Sequence, residues 1–138
     1  MTPAGYSGKP LAHKLGFKPS MKVIFVNDPP VYRELIGSLY RDITVGKRLS
    51  GHYDLIHFFT TKETELRRRL PALRRALKPS GMLWISWPKK TSRIKTDVRG
   101  TDVRNIVLKE EKTLVDVKIC AVDDDWSGLK FVIRRESR

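Results

Sequence analysis

The stretch from Tyr53 to Trp87 limits what this chain can fold into more than any other part of it. Tyr53-Asp54-Leu55-Ile56-His57-Phe58-Phe59 is an apolar run of strand length. A basic helix follows, with Leu66, Leu70, Leu73 and Leu77 at helical spacing on one stripe. Lys78-Pro79-Ser80-Gly81 stops it, and Met82-Leu83-Trp84-Ile85-Ser86-Trp87 is a second strand-length run. Strand, covering helix and return strand make the unit from which parallel sheets are built.

The rest of the chain fits around this unit. Pro10, Leu11, Leu15 and Gly16 predict a short helix within an N-terminal extension, residues 1–20, packed on the body. Met21 to Val26 is a buried strand, ended by Asn27-Asp28-Pro29-Pro30, where two prolines fix the backbone and supply no N–H. Val31 to Tyr40 reads as a helix with Val31, Leu35 and Leu39 on one face, and Ile43 to Val45 as a short strand. Gly46 to Gly51 is a loop. Thr60 with Glu63 has the spacing of a capping box for the basic helix, and Pro71 is expected to interrupt that helix, removing one hydrogen bond and kinking it. Thr96-Asp97-Val98-Arg99 recurs as Thr101-Asp102-Val103-Arg104; a five-residue period fits no helical face and reads as a chance duplication around a helix start, not a structural repeat. Val103, Ile106 and Val107 anchor that helix to near Lys109. Val115, Val117, Ile119 and Ala121 alternate along one strand and Leu129, Phe131 and Ile133 along another, an antiparallel hairpin joined by 123–128. The expected fold class is α/β: a three-layer, Rossmann-like, mostly parallel sheet ending in an antiparallel hairpin, all within one domain, residues 1–138.

Size and composition narrow the setting. A chain of 138 residues, 40% apolar, buries enough surface for a real core. No apolar run approaches the ~20 residues needed to span a bilayer, and glycines, prolines and lysines break up the first twenty residues where a signal peptide needs an apolar stretch. The single Cys120 cannot form an internal disulfide. A cytoplasmic protein without a membrane partner is the expectation. The net charge is +13, and from Lys62 to Arg104 thirteen basic residues face four acidic ones. Such a concentration attracts polyanions over about a Debye length, ~8–10 Å at physiological salt. Nucleic acid or another polyanion, or an acidic protein, is the partner expected; oligomeric state is not legible.

The element order resembles that of class I S-adenosylmethionine methyltransferases. Tyr53-Asp54-Leu55-Ile56 is similar to that fold's entry into its fourth strand, and Leu77-Lys78-Pro79-Ser80-Gly81 to its Leu-Lys-Pro-Gly-Gly turn before the fifth. One helix and one strand are missing between Val45 and Tyr53, because seven residues cannot hold them. More finely, the chain resembles a bacterial family known only as domain of unknown function 3052. The pieces that carry this are Ala4-Gly5-Tyr6-Ser7-Gly8, Ser86-Trp87-Pro88-Lys89-Lys90, and Val115 to Asp123 followed by Trp126-Ser127-Gly128-Leu129-Lys130-Phe131. This resemblance implies a methyltransferase-like architecture and supplies no activity or ligand.

In cofactor-binding members of that fold, glycines after the first strand let backbone approach the ligand. Here that place is Asn27-Asp28-Pro29-Pro30, and Val45-Gly46-Lys47 offers no acid for a ribose. The ligand-binding candidates are therefore Asn27, Asp28, Trp87, Lys89 and Lys90, at the edge where open α/β sheets take ligands, with Trp87 able to stack and the lysines to meet phosphates. Arg67, Arg68, Arg74 and Arg75 on the basic helix are the anion-binding candidates. Asp123-Asp124-Asp125 reads as an Asx-held turn, not a metal site; His57 reads as a hydrogen-bonded core histidine, and Cys120 as a small buried hydrophobe. No catalytic group, cofactor or metal is assigned. The preferred reading is a non-enzymatic binding or regulatory module on a degenerate methyltransferase-like scaffold. The alternative is a methyltransferase with a glycine-poor cofactor loop.

Overall fold

A computed structural model describes residues 10–138; the Ala4 to Gly8 segment lies outside them. The order is α1 (Leu11–Leu15), β1 (Lys22–Val26), α2 (Tyr32–Ile36), β2 (Thr44–Val45), β3 (Tyr53–Phe59), α3 (Glu63–Arg75), β4 (Leu77–Pro88), α4 (Gly100–Glu110), β5 (Leu114–Ala121) and β6 (Trp126–Ile133). The six strands form one sheet in the order β2-β1-β3-β4-β6-β5. β2, β1, β3 and β4 are parallel, while β6 runs antiparallel to both β4 and β5. The sheet is the mostly parallel, hairpin-ended one expected. Residues 46–52 carry neither helix nor strand, so β2 is the edge of the sheet where the larger fold has a further strand.

Alternation along β3 explains the three layers. Ile56 and Phe58 join Leu66, Leu70, Leu73, Val103 and Val107 in the core beneath α3 and α4. Leu55 and Phe59 point the other way, into a second core with Leu11, Leu15, Tyr32, Ile36 and Trp84 beneath α1 and α2. A strand buried on both faces shows no polar alternation, which is why β3 reads as an unbroken apolar run. Trp84 is fully buried, and its indole Nε1–H donates to the Leu15 carbonyl at 2.8 Å, tying α1 to the sheet. Gly16 ends α1 in the left-handed conformation, φ 90°, as its position predicts.

Four local expectations change. The basic helix is not capped by Thr60, whose Oγ1 instead engages the backbone of Lys62 in a tight turn. Asp97 caps it from a distant loop, accepting from the Glu63 N–H at 2.8 Å. The duplicated motif thus has parallel uses: Asp102 accepts from the Arg99 N–H at 2.9 Å at the start of α4, and Val98 and Val103 are both fully buried. α3 runs unbroken through Pro71 to Arg75. The 31–40 segment is a short helix followed by a 3-10 turn over Gly37–Asp42, and its buried residues are Tyr32 and Ile36, while Val31 is exposed. On β5 a bulge at Val117 shifts the register between Asp116 and Lys118, so Val115 does not share a face with Ile119 and Ala121, and Val117 and Ile119 are both exposed.

Inside the second core lies a hydrogen-bonded chain. Tyr32 Oη is 2.5 Å from His57 Nδ1, and His57 Nε2 is 2.7 Å from Ser86 Oγ, all three side chains being fully buried. His57 is the hydrogen-bonded core histidine expected, and no substrate can reach it. Burial pushes its pKa down to about 3. The unfolded chain, with a histidine near 6.5, binds a proton that the folded one refuses. This residue's stability contribution is therefore complete above pH ~6.5 and is lost progressively as pH falls towards ~3, at a limiting slope of about 1.4 kcal/mol per pH unit. Urea midpoints across this range are expected to fall with acid in the native chain and less steeply in His57→Gln; parallel curves for the two chains contradict the assignment.

Candidate anion-binding cleft

Strand order reverses between β1 and β3, which puts the crevice of an open α/β sheet beyond Val26 and Phe59. Asn27 occupies this point with φ 61°, a left-handed conformation that asparagine tolerates better than most side chains. Its amide spans the crevice, donating to the Phe59 carbonyl at 3.1 Å and to Glu65 Oε2 at 3.2 Å. Asp28 turns away to pair with Arg33 at 3.3 Å. Pro29 and Pro30 follow, and β2 ends at Val45 with no carboxylate beside it. The residues here do not fit a nucleoside cofactor as the fold usually holds one: the glycine turn is replaced, the crevice is crossed by a side chain and the ribose acid is missing.

Trp87, Lys89 and Lys90 lie at the end of β4, one strand over from the Phe59 carbonyl that Asn27 engages. Two adjoining clefts open there, of about 610 Å³ and about 500 Å³, and both are lined by Trp87, Lys90, Arg99 and Gly100. The larger is floored by Leu129 and Ile119. The smaller is walled by Lys89, Arg93 and Lys95. Trp87 is a wall and not an open stacking platform, being only 6% exposed. Gly100 lies so close to it that a Cβ there would meet Trp87 Cζ2 at 2.7 Å, which is why a glycine starts α4.

The loop between β4 and α4 is fixed through its backbone and short side chains. The Lys89 N–H donates to the Asp125 carbonyl at 2.8 Å, the Ser92 hydroxyl to Asp125 Oδ1 at 2.9 Å, and the Asp97 N–H to the Thr61 carbonyl at 3.1 Å. Asp125 is itself placed by the expected Asx turn, in which Asp123 Oδ1 accepts from the Asp125 and Trp126 N–H groups at 2.8 Å each. The long cations of this loop are left over: among the described residues no ion pair involves Lys89, Lys90, Arg93, Lys95 or Arg99.

The α3 arginines are placed differently. Arg67 pairs with Glu63 at 3.1 Å and with Glu110, Arg68 with Glu65 at 3.8 Å, and Arg74 Nε donates to Thr113 Oγ1 at 2.7 Å. Arg75 is exposed beside Ser50 and Gly51. Sequence reading passed over Arg93, Lys95, Arg99, Gly100 and Ile119. The density of lysine and arginine over residues 89–99 was a signal for the first three; nothing local marks Ile119, which the fold brings there.

Solved structures share this architecture. A methyltransferase dependent on S-adenosylmethionine from Aquifex aeolicus superposes with a TM-score of 0.61 at 18% identity, over 94% of this chain and 90% of its own. A TehB-like methyltransferase from Corynebacterium glutamicum gives 0.53 at 11% identity, over 95% and 91%. The tRNA methyltransferase TrmK of B. subtilis gives 0.53 at 11% identity, over 94% and 67%. The chain therefore has the class I methyltransferase-like Rossmann fold. No family model matches it, so the finer resemblance to the 3052 family is unsupported there, and no curated protein matches its sequence. No helix among the described residues is long and apolar enough to cross a membrane.

Proposed function

We propose that this domain binds a phosphate-rich partner, a single-stranded nucleic acid, through the cleft at the end of β4, on a scaffold of the methyltransferase type. The observation that carries this reading is the ordered loop at 89–99, which holds five cations beside Trp87 with no carboxylate paired to them. Surplus cations on a fixed loop neutralise a polyanion without first breaking internal ion pairs. TrmK of B. subtilis, a tRNA methyltransferase, has the same fold, so the scaffold is compatible with a nucleic-acid partner. Arg68 and Arg75 are exposed on α3, outside the linings of both clefts.

A second reading is methyl transfer from S-adenosylmethionine. The fold comparisons favour it over a domain without catalysis, since the proteins compared are methyltransferases and nothing among them speaks for a non-enzymatic role. Against it stands the Asn27 crossing of the crevice. The two are separated by calorimetry. The cleft reading expects no saturable heat with S-adenosylmethionine at a Kd tighter than about 100 μM, about −5.5 kcal/mol. Binding tighter than that, removed by bulk introduced at Asn27, would establish the second reading.

A further inference from the structure

The paired clefts carry a more specific proposal, which rests on the polyanion reading above. We infer that the larger cleft takes an unstacked base of a single-stranded nucleic acid while its phosphates lie along the 89–99 loop. The two compartments meet at Arg99–Gly100, one basic and one apolar, so a single ligand can enter both. Of the three cations that line the apolar one, Arg104 is paired with Asp116 at 3.1 Å, while Lys90 and Arg99 are shared with the basic compartment. Its floor follows from the sheet: Ile85, Leu129 and Ile119 are register partners across β4, β6 and β5. Leu129 is 7% exposed, yet its register partner Ile119, on the same face, is 65% exposed. An apolar surface of this kind, rimmed by cations, marks a binding site.

The chemistry of the occupant follows from what the cleft lacks. A peptide carrying acidic and apolar side chains brings backbone N–H and C=O groups that need partners when desolvated. Thr101 is the one uncharged polar side chain in this lining. A nucleotide base brings two flat apolar faces and keeps its polar edges towards the open mouth. Duplex nucleic acid hides those faces, so the single strand is the form that fits.

The test uses the full chain and fluorescence anisotropy. Its probes are an oligothymidylate of about ten nucleotides, an abasic strand with the same number of phosphates, inorganic polyphosphate, a duplex and poly-L-glutamate. The base-bearing strand is expected to bind about 10- to 100-fold more tightly than the abasic strand, the gain of burying one base face against Ile119 and Leu129. Ile119→Ser, at a solvent-exposed position, is expected to erase that margin and leave polyphosphate affinity unchanged. Equal affinity for the base-bearing and abasic strands overturns the base pocket and leaves the polyanion reading standing. Failure of every polyanion overturns both. Poly-L-glutamate binding as tightly as the oligonucleotide overturns the choice of nucleic acid in favour of an acidic protein segment.

Discussion

Replacing Trp84 with alanine is expected to destabilise the domain by about 3–5 kcal/mol, the usual cost of removing a large buried aromatic. Trp84 is fully buried at the centre of the core under α1 and α2, and it also holds α1 through the Leu15 carbonyl. Two losses combine: packing on the sheet face, and an acceptor left without its donor. Trp84→Phe separates them, since it retains most of the ring and loses only the N–H; about 1–2 kcal/mol is expected. The measurement is a urea denaturation midpoint with an unchanged m value. A Trp84→Ala cost below ~1 kcal/mol would mean that α1 is not part of the folded core. With a total stability of about 5–15 kcal/mol, the alanine variant is expected to be unfolded in a sizeable fraction of molecules at elevated temperature.

Neutralising Lys89, Lys90 and Arg93 together, each to glutamine, is expected to weaken single-strand binding by about 10- to 100-fold near physiological salt. The estimate follows from counterion release: three lost phosphate contacts remove about two units from the slope of log affinity against log salt. All three side chains line the basic cleft and none is in an ion pair among the described residues, so folding stability is expected to change by less than ~0.5 kcal/mol. The triple variant Arg67→Gln, Arg68→Gln, Arg74→Gln is the matched control, Arg68 being held by Glu65. It also removes positive charge, but from side chains already engaged by Glu63, Glu110 and Thr113. A small loss of affinity is expected there. An equal loss in both variants would show that overall charge, and not the loop, governs binding.

The sheet was legible because its strands are buried on both faces. Runs such as Leu55 to Phe59 and Leu83 to Trp87 are apolar whatever packs on them, and the leucine stripe of α3 faces one core only. What stayed hidden was long-range. No local signal says that Asp97, thirty-four residues away, rather than Thr60, caps α3. Nor does alternation along β5 reveal the bulge that puts Val115 and Ile119 on opposite faces. At the candidate site, Trp87, Lys89 and Lys90 were found because they end a strand at the expected edge of the sheet. Asn27 and Asp28 were grouped with them on topology alone; in the structure Asn27 bridges β1 to β3, Asp28 pairs with Arg33, and Trp87 faces Gly100. The diproline bend, expected to close the crevice, is joined by the Asn27 amide that spans it. The arginines of α3 were singled out for number and spacing, and the acids that engage Arg67 and Arg68 lie partly on α4.

The salt dependence of single-strand affinity tests the central claim most directly. With five surplus cations and a single-strand coefficient of about 0.7 per phosphate, log affinity is predicted to fall against log salt with a slope of about −3.5. Between 50 and 200 mM salt that is about a 100-fold loss. A slope near zero, or no binding at the lowest salt, would contradict it.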